Sequence, residues 1–472
     1  MDTEKTIDAS AKKMRSAGLG ESAVAAFVGS LRRLLAGDSG LLPEHCLGTL
    51  GKLPLYEELD GATGTVQGPE LLRRVAVIKL NGGLGTGMGL DRAKSLIRVK
   101  EDLTFLDIIA LQILRLRKET GSQQPAFFLM NSFSTQKDSL DYLVKYPELA
   151  TGGPLDFLQS MVPKLDASTL LPVAHPLEPS LEWCPPGHGD IYPTLSSTGL
   201  LDQMLAQGIR YLFVSNADNL GASVDLRIAS MFASSGDSFL MEVTVRTEAD
   251  RKGGRVARRR ADGRLVLRES AQVPPSDEAS FQDIAEHGYF NTNNLWIRLD
   301  HLKELLVRSQ GYLPLPLIRN VKPVDAKDSS SCRVIQLESA MGAAIECFEA
   351  SRAIVVPRTR FAPVKSTADL LVVRSDAYAL ENQSQLVLHE KRAGRVPVVN
   401  LDPVHYKTLE RFESLFAKGI PSLMECDRLS VLGEVEFGQG VVCIGSVDFI
   451  NPSSSGPRAV APGVYKNETV RL

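Results

Sequence analysis

The chain has 472 residues, enough for about three folding units that each bury a core of their own. Lysine and arginine total 53 against 56 aspartate and glutamate, so the formal net charge is -3, and 43% of the residues are hydrophobic. This balance is typical of a globular protein and argues against a strongly basic nucleic-acid binder.

Membrane and secretory features are missing from the sequence. It contains no run of about 18 apolar residues that could span a bilayer, and its first residues, MDTEKTIDASAKKMRSAG, lack the apolar core of a signal peptide. We therefore expect a cytoplasmic protein without a membrane partner. The six cysteines and seven histidines form no zinc-ligand spacing, so we expect reduced thiols and no transition-metal centre.

The first predicted element is helical. Between residues 5 and 36, apolar residues such as Ala23, Phe27, Leu31 and Leu34 recur at helical spacing, and Gly37 stands where such a helix would end. We predict a helical N-terminal extension over residues 1–74.

From Val75 the pattern changes to short apolar runs bounded by turn residues, which is typical of buried strands. These runs are VAVIKL (75–80), PAFFLM (125–130), YLFVSN (211–216), FLMEVTV (239–245), NLWIRL (294–299), VIQLE (334–338) and AIVVP (353–357). Residues 105–118 are predicted to be a helix, because Thr104 and Asp107 have nearly the spacing of a capping box. The alternation predicts a mostly parallel α/β sheet in a domain covering residues 75–385.

A hairpin is predicted around Asp262 and Gly263, since this dipeptide separates two extended runs. The basic run Arg258 to Arg260 is then the solvated face of the hairpin. Contact of this run with nucleic acid is the alternative, but the overall charge disfavours it.

The last segment, residues 386–472, has a six-residue period. Apolar side chains lie six apart in two series, Val435, Val441, Val447 and Val431, Phe437, Cys443, Phe449. Such a period predicts a parallel β-helix, here of about three coils. A short amphipathic sheet is the alternative.

A glycine-rich loop follows the strand at 75–80. Five glycines stand within eight residues (82, 83, 85, 87 and 89), which suits a backbone that turns its N–H groups toward phosphate oxygens. The P-loop pattern GxxxxGK[ST] is not met, and a dinucleotide-binding GxGxxG loop does not end on a lysine and a serine as this one does at Lys94. Lys94 could neutralise triphosphate charge, or it could be an exposed lysine at a helix start.

At this point the loop LNGGLGTGMG (80–89), followed by Lys94, resembles the nucleotide loop of the eukaryotic-type UTP–glucose-1-phosphate uridylyltransferase (UDP-glucose pyrophosphorylase) family. Further segments resemble the family's motifs in the family's order: FLMNSF (128–133), PPGHGDIYP (185–193), SNADNLGA (215–222), NTNNLWI (291–297), QLESAMGAA (336–344) and PRTRFAPVKSTADLL (357–371). The resemblance spans about 75 to 380, and the predicted N- and C-terminal segments also agree with the family's architecture.

The resemblance implies a glycosyltransferase-A-like (Rossmann-like) nucleotide-binding domain with a helical N-terminal extension and a C-terminal parallel, left-handed β-helix. It implies reversible formation of UDP-glucose and pyrophosphate from UTP and glucose 1-phosphate, with Mg²⁺. An oxygen of the sugar phosphate attacks the α-phosphorus in line, so the site needs cations and backbone donors.

Three charged residues carry the implied chemistry. By resemblance, Lys94 neutralises the departing β- and γ-phosphates, and Lys365 reaches the α-phosphate and the sugar phosphate, where charge builds up. Asp218, at the end of a predicted strand, is the implied Mg²⁺ ligand. The alternatives are a surface lysine for Lys365 and a loop-capping carboxylate for Asp218.

The remaining implied residues bind the two substrates. Met130 and Gln159 resemble the uracil-side residues, although a helical surface glutamine is the alternative for Gln159. The sugar and its phosphate are assigned His188, Asn216, Asn293 and Glu338. The residues assigned to the nucleotide are Leu80, Asn81, Gly82, Gly83, Met130, Gln159, Gly187, Asn216 and Asp218.

Rival functions remain open at this point. Residues 91 and 92 read Asp-Arg and residue 217 is alanine, departures that remove no proposed ligand. A relative acting on another sugar, such as a UDP-N-acetylhexosamine pyrophosphorylase, would resemble LxxGGxGxRLG instead. A binding or regulatory protein without turnover would have no need of Lys94, Asp218 and Lys365 together.

We expect the protein to be a monomer whose domains close on UTP.

Overall fold

The computed structural model describes residues 3–59, 68–150, 153–247, 250, 253–325, 328–382, 384–453 and 456–472. Residues 1–2 and 60–67 of the predicted extension therefore lie outside the described part. The α-helices in the described residues are α1 Thr3–Ser16, α2 Glu21–Leu35, α3 Gly68–Leu72, α4 Phe105–Thr120, α5 Gln136–Leu143, α6 Ile191–Ser197, α7 Leu200–Ala206, α8 Leu226–Ser235, α9 Glu278–Phe281, α10 Leu299–Arg308, α11 Thr367–Arg374, α12 Pro403–Tyr406 and α13 Leu409–Leu415.

The strands up to residue 388 include every run predicted from the sequence. They are β1 Leu47–Gly48, β2 Val75–Asn81, β3 Arg98–Lys100, β4 Leu103–Thr104, β5 Ala126–Asn131, β6 Asp156–Leu158, β7 Val162–Pro163, β8 Leu165–Asp166, β9 Trp183–Cys184, β10 Tyr211–Asn216, β11 Phe239–Val245, β12 Arg255–Arg259, β13 Leu265–Arg268, β14 Tyr289–Arg298, β15 Ile318–Pro323, β16 Arg333–Glu338, β17 Ser351–Val355, β18 Tyr378–Glu381 and β19 Gln385–Leu388.

The N-terminal extension is helical only in part. The predicted helix over 5–36 is two helices, α1 and α2, separated at Gly18, whose φ of 77° suits glycine. Between α2 and residue 59 the chain forms short turns and β1, which pairs with β12 of the predicted hairpin. Met14, Phe27 and Leu31 pack on apolar residues of the small sheet β15-β16-β8, so the extension covers that sheet.

A seven-stranded mixed sheet forms the centre of the described chain, in the order β17-β11-β14-β10-β2-β5-β6. Strand β14 runs antiparallel to both neighbours, and the other neighbouring pairs are parallel. Nearly every residue of β2, β5, β10 and β11 is buried, as expected for strands covered on both faces. The prediction of an α/β fold with a large, mostly parallel sheet is confirmed.

Parallel pairing aligns the strand ends where ligands bind in such folds. Leu80 of β2 lies between Met130 of β5 and Asn216 of β10 in the sheet register. The loops after these three strands therefore leave the sheet at one edge and form one crevice. Helix α4 begins at the predicted capping box of Thr104 and Asp107 and packs on one face of the sheet.

The predicted hairpin is present as the antiparallel pair β12 and β13, with Gly263 at a φ of 71°. Arg258 and Arg260 are exposed, whereas Arg259 forms ion pairs with Asp262 and Glu346. Part of this basic run is thus neutralised within the chain itself.

The C-terminal strands all pair in parallel. They are β20 Val398–Leu401, β21 Ser422–Leu432, β22 Val435–Glu436, β23 Val441–Ile450, β24 Arg458–Ala459, β25 Gly463–Lys466 and β26 Thr469–Arg471. Each apolar residue at the six-residue spacing is at most 1% exposed. Val431 lies beside Phe449 in the register, three six-residue steps later. Within the described residues, none of the helices has the length and apolarity needed to cross a membrane.

Candidate active site

The glycine loop turns back on itself at the end of β2. Gly85 and Gly89 have φ values of 70° and 75°, and residues 86–88 form a single short turn of 3-10 helix. The backbone N–H of Lys94 donates to the carbonyl of Gly83 at 3.1 Å, which closes the loop and returns Lys94 to the sheet edge. The conformation differs from a P-loop, in which the lysine opens an α-helix.

Lys94 and Asp218 meet across the crevice. The Nζ atom of Lys94 lies 2.6 Å from Oδ2 of Asp218, and their side chains are 16% and 22% exposed. They are brought together because β2 and β10 are parallel neighbours whose following loops share one edge. Two of the residues predicted from sequence thus form an ion pair.

The second oxygen of Asp218 has a different environment. Its Oδ1 atom is buried and makes no hydrogen bond with the described residues. A buried anionic oxygen of this kind fits a hard cation such as Mg²⁺. In the described part of the chain, no group of three or more His, Cys, Asp or Glu side chains could hold a metal ion. A Mg²⁺ at Asp218 would therefore take most of its ligands from phosphates and water.

Lys365 lies in a loop that is tied to the loop of Asp218. The backbone N–H of Val364 donates to the carbonyl of Asp218 at 3.1 Å, and Pro363 forms a β-bridge with Asn219. The backbone N–H of Lys365 donates to Oδ2 of Asp369, in the capping box that begins α11. The Lys365 side chain is exposed.

The loop at 185–190 brings two of the predicted sugar-side residues, His188 and Glu338, near each other. Gly189 donates to the carbonyl of Ser339 and Ser339 donates to that of Pro186, both at 2.9 Å. These bonds hold the loop of His188 against the end of β16, where Glu338 lies. The Oε1 atom of Glu338 is 3.8 Å from Nζ of Lys322.

His188 is held as a neutral donor. Its Nδ1 atom accepts the backbone N–H of Met341 at 2.9 Å, so the tautomer assigned from this bond carries its proton on Nε2. Burial lowers the pKa of His188 to about 4. At neutral pH the imidazole therefore offers one N–H and no positive charge.

Asn293 occupies an irregularity in β14. Its φ is 59°, and the pairing register between β11 and β14 shifts between Glu242 and Val243. Its side-chain oxygen accepts from Nδ2 of Asn291 at 2.8 Å. Asn216 is half-buried at the carboxyl end of β10, at the same edge of the sheet.

On the base side, Gln159 is next to the glycine loop. It follows β6 in a loop, so the alternative of a helical surface residue is wrong. A Cβ atom built on Gly82 would lie 2.9 Å from Oε1 of Gln159, so the Gln159 amide packs directly against the backbone of Gly82. The N–H of Gln159 donates to the carbonyl of Asn131, which anchors it to β5.

Two predicted nucleotide residues face the protein interior. The Nδ2 atom of Asn81 donates to Oδ1 of Asn131 at 2.7 Å and to Oγ of Ser139 at 2.8 Å. Its Nδ2 group thereby joins β2, β5 and α5 and is not available to a ligand. Met130 is 2% exposed and packs within the hydrophobic core.

Sequence reasoning missed two buried charged residues beside the site. Lys79 donates to Oγ of Ser215 and to the carbonyl of Ala222, and burial lowers its pKa to about 7. The sequence did offer a signal for Lys79, because it is a lysine inside an apolar run.

The other missed residue is Asp190. Its Oδ2 atom accepts the N–H of Ser160 at 2.6 Å, and burial raises the pKa of Asp190 to about 7. Only its place beside His188 could have indicated it.

Comparisons with known proteins identify the family of this chain. The family model described as UTP–glucose-1-phosphate uridylyltransferase matches residues 50–443. The enzyme of that name from Astragalus penduliflorus is 41% identical over 404 residues, covering 84% of this chain and 82% of the relative. The one from Saccharomyces cerevisiae is 42% identical over 377 residues, covering 80% and 74%.

Solved structures are similar over nearly the whole length. The UDP-glucose pyrophosphorylase of Leishmania major, solved in open and closed structures, has a TM-score of 0.94 and 44% identity, with 99% of each chain covered. A variant of that enzyme in complex with UDP-glucose has a TM-score of 0.94 and 43% identity over the same shares. The chain belongs to the UTP–glucose-1-phosphate uridylyltransferase family.

Proposed function

We propose that this chain forms UDP-glucose and pyrophosphate from UTP and glucose 1-phosphate, reversibly, in the crevice at the carboxyl ends of β2, β5 and β10. The observation that carries the proposal is the ion pair between Lys94 and Asp218, beside the Lys365 loop, in a member of this family.

Lys94 and Asp218 would serve the nucleotide. Asp218 would hold Mg²⁺ through its buried, unbonded Oδ1 atom, and the metal would supply charge neutralisation to the phosphates. Lys94 already points at this place and would turn from the carboxylate to the β- and γ-phosphates of UTP. Its ammonium would offset the negative charge that leaves with pyrophosphate.

Lys365 would serve the attacking group. An oxygen of the sugar phosphate forms a bond to the α-phosphorus, and the bond from that phosphorus to the bridging oxygen of pyrophosphate breaks. No proton has to move in this step, so the lysine only has to supply positive charge. Lys365 would bring the two phosphates together and stabilise the charge on the α-phosphate oxygens.

Neutral donors and acceptors would bind the sugar and the base. The Nε2–H group of His188 is free to donate because its Nδ1 is occupied by Met341. Asn216, Asn293 and Glu338 would bind sugar or ribose hydroxyls. On the other side, the amide of Gln159 and the backbone of Gly82 and Gly83 would bind uracil.

The finer architecture is also part of the proposal. The strand order with one antiparallel strand, β14, supports a glycosyltransferase-A-like domain over residues 75–385. Parallel pairing at six-residue steps supports a left-handed β-helix within 386–472, following the N-terminal extension at 1–74. We further propose a cytoplasmic monomer that closes on UTP, as the open and closed structures of the Leishmania major enzyme suggest.

The test is pyrophosphate release from purified protein with Mg²⁺, UTP and glucose 1-phosphate. We expect Lys365→Ala to lower kcat by at least ~100-fold, whereas Lys466→Ala, an exposed lysine in β25, should keep the full rate. Parallel reactions replace UTP with ATP, or glucose 1-phosphate with N-acetylglucosamine 1-phosphate, and should release little.

Other results of this test would lead to different conclusions about the chain. Faster release with N-acetylglucosamine 1-phosphate would assign the chain a different sugar. Binding of UTP without release for any pair would favour a nucleotide-binding protein without turnover. An unchanged rate in Lys365→Ala would refute the role of that lysine.

A further inference from the structure

Asn219 joins the two loops that carry Asp218 and Lys365. Its side chain is 1% exposed and uses both of its polar atoms. The Oδ1 atom accepts the backbone N–H of Ala362 at 2.9 Å, and the Nδ2 atom donates to the carbonyl of Arg360 at 3.2 Å. Nδ2 also lies 3.3 Å from Oδ1 of Asn294, in β14.

The loop that contains Arg360 and Ala362 is also held in place by a buried ion pair. Arg360 is buried and binds Glu242 of β11 through Nε at 2.8 Å and through Nη2 at 2.7 Å. Glu242 also accepts from the indole N–H of Trp296 at 2.9 Å. The Nη2 atom of Arg360 also donates to the carbonyl of Ser223, just beyond the Asp218 loop. The guanidinium of Arg360 therefore contacts both loops.

This arrangement needs the chemistry of asparagine. A single amide supplies the acceptor for Ala362 and the donors for Arg360 and Asn294, whereas an aspartate has no donor and a leucine has neither. Gly221 meets the same loop closely, since a Cβ atom there would lie 2.4 Å from the carbonyl of Thr359. The two loops are therefore in direct contact with little room to slide.

We propose that Asn219 is a positioning residue that sets the distance between the carboxylate of Asp218 and the ammonium of Lys365 for the transfer step. The inference rests on the roles proposed above for these two residues. The side chain of Asn219 is buried, and its hydrogen bonds go to Ala362, Arg360 and Asn294. Its effect passes through the backbone bonds at Ala362 and Val364, which lead directly into Lys365.

The first test separates positioning from general stability. We expect Asn219→Ala to lower kcat by ~10- to 100-fold, as displacements of about 1 Å do in other sites, with Kd for UTP changed less than ~3-fold. The matched control is Asn451→Ala, which removes a buried asparagine with two carbonyl bonds in the C-terminal segment. It should lower Tm comparably but leave kcat within ~2-fold.

The second test is a double-mutant cycle. If Asn219 acts through Lys365, adding Asn219→Ala to Lys365→Ala should lower kcat by less than ~3-fold further. Should Asn219→Ala fail to fold, Asn219→Ser, which adds no charge and is too short to keep all of the amide's hydrogen bonds, is used in the same cycle.

Two results would overturn the inference. The first is an unchanged kcat in the folded Asn219 variant. The second is a double variant in which both full losses multiply, because independent effects exclude action through Lys365. A Lys365→Ala variant with normal turnover would instead refute the proposed function of that lysine, and with it any residue that positions it.

Discussion

Gly187 shapes the sugar side of the crevice by lacking a side chain. Its φ is 81°, and a Cβ atom there would lie 2.4 Å from the carbonyl oxygen of Ser339. The Cβ position is fixed by the backbone of Gly187, and the oxygen it would meet belongs to the backbone of Ser339, so a side-chain rotation cannot relieve the clash. The loop can therefore approach β16, and present His188, only with glycine at this position.

A substitution should show this at the level of one residue. We expect Gly187→Ala to raise KM for glucose 1-phosphate at least ~10-fold, because the displaced loop carries His188. Gly199→Ala is the matched control, since Gly199 has a φ of 72° but nothing within 4 Å of a built Cβ. Gly199→Ala should lose roughly 1 kcal/mol of stability from its left-handed backbone. Gly187→Ala should lose more, because its φ of 81° and ψ of 170° form a conformation that is essentially restricted to glycine. Steady-state kinetics and thermal unfolding measure these effects, and an unchanged KM in Gly187→Ala would contradict them.

At the scale of elements, Asp107 joins two helices. Its Oδ2 atom accepts the N–H of Thr104 at the start of α4 and the hydroxyl of Tyr142 in α5. Its Oδ1 atom accepts from Tyr146 and pairs with Lys145 at 2.6 Å, just beyond α5. Burial alone would raise the pKa of Asp107, but the hydrogen bonds from Lys145, Tyr142, Thr104 and Tyr146 together lower it to about 2.

The depressed pKa predicts a pH-dependent contribution to stability. The folded value of about 2 is below the ordinary value of 3.8, so the stabilisation is complete above pH 3.8 and is lost as the pH falls to about 2. We expect Asp107→Asn to lower the free energy of unfolding at pH 7 by ~2 kcal/mol.

Urea unfolding from pH 7 down to pH 2.5 measures this difference, which should shrink at the acid end. Asp141→Asn, which removes an exposed partner of Lys137, is the control and should change stability little at any pH. A difference for Asp107→Asn that is constant down to pH 2.5 would show that charge is not the cause.

At the scale of the whole molecule, the central sheet and the C-terminal strands share one hydrophobic core. Phe105 and Trp296 belong to the same cluster of buried residues as Phe437 and Phe449. The hydroxyl of Thr367, in α11, donates to the carbonyl of Tyr406, which connects the two parts by a buried hydrogen bond. We therefore expect the two parts to unfold together.

Phe437→Ala tests this coupling. Loss of the buried ring should lower the free energy of unfolding by ~3 to 5 kcal/mol, and the fluorescence of Trp296 in the central sheet should report the full loss. The experiment uses a Trp183→Phe background, so that Trp296 is the one remaining tryptophan. Val464→Ala, 65% exposed on β25, is the control. An early unfolding transition that leaves the fluorescence of Trp296 unchanged would contradict a shared core.

The sequence by itself determined most elements, because their signals are local. The apolar runs at 75–80 and 211–216 became β2 and β10, Thr104 and Asp107 capped α4, and the dipeptide at 262–263 formed its hairpin. Each signal lies within a few residues, where propensity and hydrogen bonding act directly. The same holds for the glycine loop, whose place after a strand was readable without a structure.

Only the tertiary structure decided which side chains face the crevice. Asn81, within the most recognisable motif, turned inward to Asn131 and Ser139, while Gln159 lay against Gly82. The bond between Asn219 and Ala362 joins residues 143 apart in the chain. Such contacts depend on which strands are neighbours and in which direction they run, as with antiparallel β14. Local sequence carries no record of this, because the partner is chosen by packing of distant segments.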